Sequence, residues 1–131
     1  MSAFFDTNIL VYGYDQSPHG VIARGLVVQG GQIAVQSLNE LALVLRRRYQ
    51  LDFADMRAEV DKVATAFPDA VPLTMAIHLD GLRLAERYKL GIYDSMLLAA
   101  ALSGKCTTFY SEDLADGLVI DGSLTVCNPF A

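Results

Sequence analysis

Short apolar, strand-like runs alternate with stretches of helical periodicity along this chain, and that alternation most restricts its fold. The runs are Ala3 to Asp6, Ile33 to Val35, Val71 to Leu73, Cys106 to Tyr110 and Leu124 to Cys127. Such an order predicts an α/β domain built on a mostly parallel sheet of four to five strands. The helices between them are marked by their ends and by their spacing. Ile9 to Tyr14 begins a short one. Ser17-Pro18 opens another that runs to about Val28, with Pro18 suited to a first helical position and Gly30-Gly31 closing it. Ser37 to Tyr49 carries Leu38, Leu41, Ala42 and Leu45 on one face, and Phe53 to Phe67 carries Val60, Val63 and Ala64. Thr74 to Tyr88 is helical with Gly81 as a weak point. The stretch from about Tyr93 to Leu102 is apolar nearly all round, which predicts a buried helix. With no repeat and no linker, one domain over residues 1–131 is expected.

Hydrophobic residues make up 53% of the chain, enough for a sizeable core and too many for a disordered segment. The most apolar stretch, Met96 to Leu102, is too short to span a membrane, and no basic region precedes an apolar one at the start. Cys106 and Cys127 lie in strand-like runs and match no zinc-ligand spacing, which suits reduced core thiols and a cytoplasmic setting. A net charge of −5 argues against broad, non-specific nucleic-acid binding. It does not argue against a nuclease whose acids hold a metal, since the metal supplies positive charge where a phosphate docks.

Four acids stand where chemistry is kept in such folds: Asp6, Glu40, Asp94 and Asp113. Asp6, in the triplet Asp6-Thr7-Asn8, ends the first strand. It reads either as a helix cap or as a ligand at the edge of the sheet. Glu40 fits a capping box with Ser37, or faces a polar cleft beside Asn39. Asp94 opens the buried helix, as a cap or first-turn acid or as a group facing an enclosed place. Asp113 follows a strand as Asp6 does, and is a solvated turn acid or the partner of Asp6 across a switch in strand order. Four like charges gathered at one edge repel one another unless they hold a hard cation, and oxygen ligands suit Mg²⁺ or Mn²⁺.

Asp6-Thr7-Asn8, Asn39-Glu40, Tyr93-Asp94-Ser95 and Ser111-Glu112-Asp113-Leu114 resemble, in order and spacing, the acidic motifs of PIN-domain ribonucleases of the VapC-like toxin kind. The ending, with Asp116-Gly117, Ile120-Asp121-Gly122 and Asn128-Pro129-Phe130, is similar to that branch as well. The resemblance implies a three-layer α/β/α PIN-like fold and a Mg²⁺- or Mn²⁺-dependent endoribonuclease acting on RNA as the toxin of a toxin–antitoxin pair. It implies that Asp6, Glu40, Asp94 and Asp113 form the catalytic metal site. Thr7, Asn8, Ser111 and Asp116 support it. It also implies a homodimer and a cognate antitoxin that blocks the site. The chain departs from the family in lacking Lys or Arg between Asp15 and Gly20, which bears on substrate grip; His19 there reads as a surface residue. Arg46, Arg47 and Arg48 either position an RNA backbone or solvate a helix end.

Two other functions are compatible with parts of this pattern. A phosphatase using Asp6 as nucleophile usually has a second Asp two residues on, where this chain has Asn8. A phospho-acceptor domain wants a lysine after the last strand, and Leu124 to Ala131 has none. A non-catalytic dimerisation or partner-binding module is the third reading, discriminated by whether the acids bind Mn²⁺ or Mg²⁺.

Overall fold

The computed structural model describes residues 2–131. The chain runs β1 (Ala3–Phe5), α1 (Thr7–Tyr12), α2 (Pro18–Val28), α3 (Val35–Arg47), α4 (Phe53–Ala66), α5 (Met75–Tyr88), α6 (Ile92–Ser103), β2 (Thr108–Tyr110), β3 (Val119–Ile120) and β4 (Leu124–Cys127). The sheet order is β1-β2-β4-β3, parallel except for the antiparallel β3–β4 pair. Beyond β1 the sheet thins to single parallel bridges, Phe4 to Gln32 and Ala34 to Val71. The strands expected at Ile33 to Val35 and Val71 to Leu73 are reduced to these bridges, because α3 starts at Val35 and takes the chain away at once. β3 was not expected, being only two residues long. Its sequence signal is Asp121-Gly122, whose φ angles of 50° and 70° turn the chain back into β4.

Register decides which face each strand residue serves. Phe4 lies opposite Phe109 and Phe5 opposite Tyr110. Successive side chains point to opposite faces, so the two pairs stack on opposite sides, at 5.5 and 5.9 Å between ring centroids. The Phe4 side packs against α5 and α6 through Leu84, Leu97 and Leu98, whereas the Phe5 side packs against Ile9, Leu10 and Ala23 of α1 and α2. These are the three layers of an α/β/α fold. α3 and α4 form a hairpin around Leu41, Leu45 and Met56, which reaches α1 through Val11.

α6 is buried from Ser95 to Ala101, as its all-round apolar sequence requires. Gly81 lets α5 approach it: a methyl there would meet Met96 Sδ at 2.5 Å. The apparent weak point of α5 is therefore a packing requirement. From β1 the chain moves outward to the Gln32 and Val71 bridges and returns on the other side as β2. The strand order thus reverses between β1 and β2, where such folds open a crevice at the strands' C-terminal ends. No helix among the described residues is long and apolar enough to cross a membrane. Cys106 and Cys127 are free thiols, the first buried and the second half-buried.

Candidate active site

Asp6 stands at the end of β1 and caps α1, and it serves both positions at once. Its Oδ1 accepts the Thr7 amide at 2.7 Å, which satisfies one orphan donor of the helix. Its Oδ2 faces the other way and accepts the Ser111 hydroxyl at 2.7 Å, across the β1–β2 boundary. Capping also explains why α1 begins at Thr7 rather than near Ile9.

Asn8 stitches the two strand ends together. Its Nδ2 donates to Asp113 Oδ2 at 3.0 Å and, more weakly, to Asp6 Oδ2 at 3.4 Å. Its Oδ1 accepts the Glu112 amide at 3.4 Å, while Ser111 Oγ accepts the Asp113 amide at 3.1 Å. Ser111 and Asn8 thereby hold the turn after β2 against the turn after β1.

Glu40 does not complete a capping box. α3 begins at Val35, with Ala34 as its N-cap, so Ser37 lies inside the helix and its buried hydroxyl finds no partner. The Glu40 carboxylate instead accepts the Thr7 hydroxyl at 2.5 Å and the Gln36 amide at 2.8 Å. Gln36 also donates to the carbonyl of Tyr93 at 3.1 Å, tying α3 to the first turn of α6 beside Asp94. Gln36 was not among the expected site residues. Its signal is the i, i+4 spacing to Glu40 on one helix face.

Asp94 lies in the first turn of α6, whose N-cap is Gly91. A helix N-terminus favours negative charge, yet the Asp94 carboxyl is pushed above the ordinary range. Burial is the largest cause, and the charges of Asp113 and Glu40 add to it. Asp6 is pushed up to about 7, again chiefly by burial. The Ser111 and Thr7 hydrogen bonds oppose that shift, and Asp94 and Asp113 reinforce it. Asp6, Asp94, Asp113 and Glu40 are thereby linked electrostatically, Glu40 through Asp94.

The donor set suits a hard divalent cation: it consists of carboxylate oxygens, without imidazole or thiolate, and the charges of Asp94 and Asp113 help to raise the pKa of Asp6, as those of Asp113 and Glu40 do that of Asp94. Among the described residues no three His, Cys, Asp or Glu side chains are drawn together to ligand distance as they stand. The carboxylates of Asp6, Glu40 and Asp113 are held instead by Thr7, Asn8, Gln36 and Ser111.

Other residues are engaged apart from this group. Asp116 Oδ1 accepts the amide of Asn128 at 2.8 Å, bracing the chain after β4. His19 stacks on Phe130 at 4.4 Å and meets the edge of Tyr12 at 5.3 Å, the role of a packed surface residue. Arg24, the first cation after Asp15, spends its guanidinium on the carbonyls of Gly13 and Asp15. Arg46 bonds the carbonyl of Leu51.

The PIN domain family model matches residues 3–115, which contain all four acids. No curated protein matches the chain. Among solved structures, the chain is similar to one from a toxin–antitoxin complex of Klebsiella pneumoniae, with 20% identity, 98% of each chain covered and a TM-score of 0.75. A second similarity is to a structure of VapBC2 from Rickettsia felis bound to a DNA fragment from its promoter. There identity is 16%, coverage 96% of this chain and 97% of the other, and the TM-score 0.66. At such identities these two likenesses speak for the fold, and it is the family model, spanning both strand ends of the acidic site, that shows the chain to be a member of the PIN domain family.

Proposed function

We propose that this chain is a Mg²⁺- or Mn²⁺-dependent endoribonuclease, the toxin of a toxin–antitoxin pair, acting as a homodimer in the cytoplasm and blocked by a cognate antitoxin. PIN domains are generally nucleases, and the two similar structures come from toxin–antitoxin systems. One observation carries the catalytic part. Asp6, Glu40, Asp94 and Asp113 are electrostatically coupled at one sheet edge, and none takes part in the ion pairs found among the described residues. A group of acids with no cation of its own is built for one from outside.

Asp6, Asp94 and Asp113 would hold the metal, with Glu40 completing the set. A bound Mg²⁺ supplies an activated water and stabilises charge on the phosphate and the leaving oxygen. The chain's own residues prepare the place. Ser111 and Asn8 orient Asp6 and Asp113 by hydrogen bonds, and Thr7 and Gln36 fix both oxygens of Glu40. Single-stranded or looped RNA fits best, because its backbone is accessible. The test is Asp94→Asn. Loss of Mg²⁺-dependent RNA cleavage by this variant supports the assignment, and unchanged cleavage rejects it.

A non-catalytic partner-binding module is favoured by one feature: the carboxylates of Asp6, Glu40 and Asp113 are tied up in side-chain hydrogen bonds rather than drawn to ligand distance. A calorimetric titration that detects no Mn²⁺ or Mg²⁺ binding would select that reading.

A further inference from the structure

A groove of about 230 Å³ adjoins the acids, and nothing above assigns it a role. Asn8 and Asp113 belong both to it and to the acidic site; Tyr12, Asp15, Glu112 and, just past α3, Arg48 and Tyr49 also line it. Arg48 is the one cation on this groove among the described residues.

Place and pairing together single out Arg48: Arg47, Arg87, Lys89 and Lys105 likewise make no ion pair among the described residues, but none of them lines this groove. Arg24 and Arg46 are spent on backbone carbonyls. Arg57, Lys62 and Arg83 pair with Asp61, Glu59 and with Asp80 and Asp121. Arg48 makes no ion pair among the described residues, although three carboxylates line the same groove. All three are already engaged: Asp15 Oδ1 accepts the Ser17 amide at 2.8 Å, Glu112 Oε2 accepts the Tyr12 hydroxyl at 2.7 Å, and Asp113 Oδ2 accepts Asn8 Nδ2 at 3.0 Å. The guanidinium rests over the Tyr49 ring, 5.7 Å from its centroid, which limits its motion while leaving its donors open.

We propose that this groove carries the RNA backbone on one side of the scissile phosphate, and that Arg48 is the positioning residue that grips the flanking phosphate. The inference rests on the ribonuclease reading of the adjoining acids. A guanidinium matches phosphate geometry with paired donors. The acidic walls disfavour an acidic peptide in the same place. Such a peptide would face Asp15, Glu112 and Asp113 with only Arg48 to compensate, whereas a phosphodiester would also be offered the cation that the proposed function assigns to the adjoining acids.

The experiment measures steady-state cleavage of a fluorescent single-stranded oligoribonucleotide with Mg²⁺, across a salt series, by wild type, Arg48→Ala, Arg48→Lys and Arg47→Ala. Arg47 is exposed on α3 and serves as the charge-matched control. Arg48→Ala is expected to raise KM about tenfold or more, the scale of one charged hydrogen bond, with little change in kcat. The slope of log(kcat/KM) against log salt should become shallower by about 0.7, one phosphate contact on a single strand. Arg48→Lys should restore the slope but not the whole affinity, and Arg47→Ala should change neither. If wild type cleaves and Arg48→Ala keeps its KM and salt slope, this inference alone falls. If Arg48→Ala instead only weakens binding of an acidic partner peptide, the groove belongs to that partner and the inference falls again. A wild type that cleaves no RNA overturns both readings together.

Discussion

Asp6 and Asp121 each follow a strand, yet the molecule treats them in opposite ways. Asp121, at the β3–β4 turn, accepts Arg83 Nη2 at 2.6 Å and Nη1 at 3.3 Å, and its amide donates to the Tyr88 hydroxyl at 2.8 Å. The guanidinium holds its carboxyl below the ordinary carboxylate range. Asp6, at the β1–β2 end of the same sheet, is 4% exposed, has only neutral donors, and sits near two more carboxylates. Its carboxyl is pushed up to about 7. At Asp121 the chain supplies its own counter-charge, and the result is a brace between α5 and the edge of the sheet. At Asp6 no cationic side chain among the described residues pairs with the carboxyl, which the proposed function leaves for a metal.

Removing charge should therefore abolish function at one end and barely register at the other. We predict that Asp94→Asn lowers RNA cleavage by more than about 100-fold, since even partners one shell out from a metal are worth about 10- to 100-fold. Cleavage assays with purified variants check this, and Arg83→Gln should leave the rate unchanged in the same assay. Thr7→Val tests the support of Glu40 by removing the hydroxyl that holds it. It should cost about 10- to 100-fold in kcat with the fold intact by circular dichroism, and a wild-type kcat would mean Glu40 needs no such restraint.

The two ends should also respond to pH with opposite signs. Asp6 has a folded-state pKa of about 7 against an ordinary value of 3.8. The folded protein thus binds the extra proton between these values. The stabilisation from Asp6 is complete below about pH 4 and is lost as pH rises through about 7. In metal-free protein Asp6→Asn should raise the melting temperature by several degrees at pH 8, on the order of a few kcal/mol, and give no gain at pH 4. Equal shifts at both pH values would show that Asp6 is not protonated on folding. Asp121 runs the other way. Its lowered pKa contributes stability above 3.8 that disappears as pH falls through its folded-state value. Because the pair with Arg83 is largely solvated, Arg83→Gln should cost only about 0.2–1 kcal/mol near neutrality, read from urea midpoints.

Gly81→Ala probes the layer beneath the site. The added methyl would press on Met96, two residues past Asp94. Overpacking of this kind costs about 1–3 kcal/mol, partly offset by the helix propensity of alanine. Melting curves check it, and a stabilised variant would mean that α5 and α6 can separate without strain.

Much of this was legible in the residues. The alternation of strand-like and helical stretches determined a parallel α/β sheet. The all-round apolar stretch after Asp94 required a buried helix, and the observed α6 is buried from Ser95 to Ala101. The four acids could be singled out because each stands at the end of an element. What they do there was not legible, since helix caps and site ligands draw on the same residue types at the same positions. Ser37 and Glu40 satisfy the capping-box spacing, yet α3 starts three residues too early for that box, with Ala34 rather than Ser37 as its cap, and Glu40 turns to Thr7 and Gln36. Asp6 caps α1 with one oxygen and accepts Ser111 across the strand ends with the other. Arg48 was one of three adjacent arginines until the groove distinguished it. Periodicity and end signals are local, so the chain by itself determined which elements form and which acids lie at their ends. Whether two such ends meet depends on strand order and on the exact start of each helix. Only the tertiary structure decided that Asp6, Glu40, Asp94 and Asp113 act on one another.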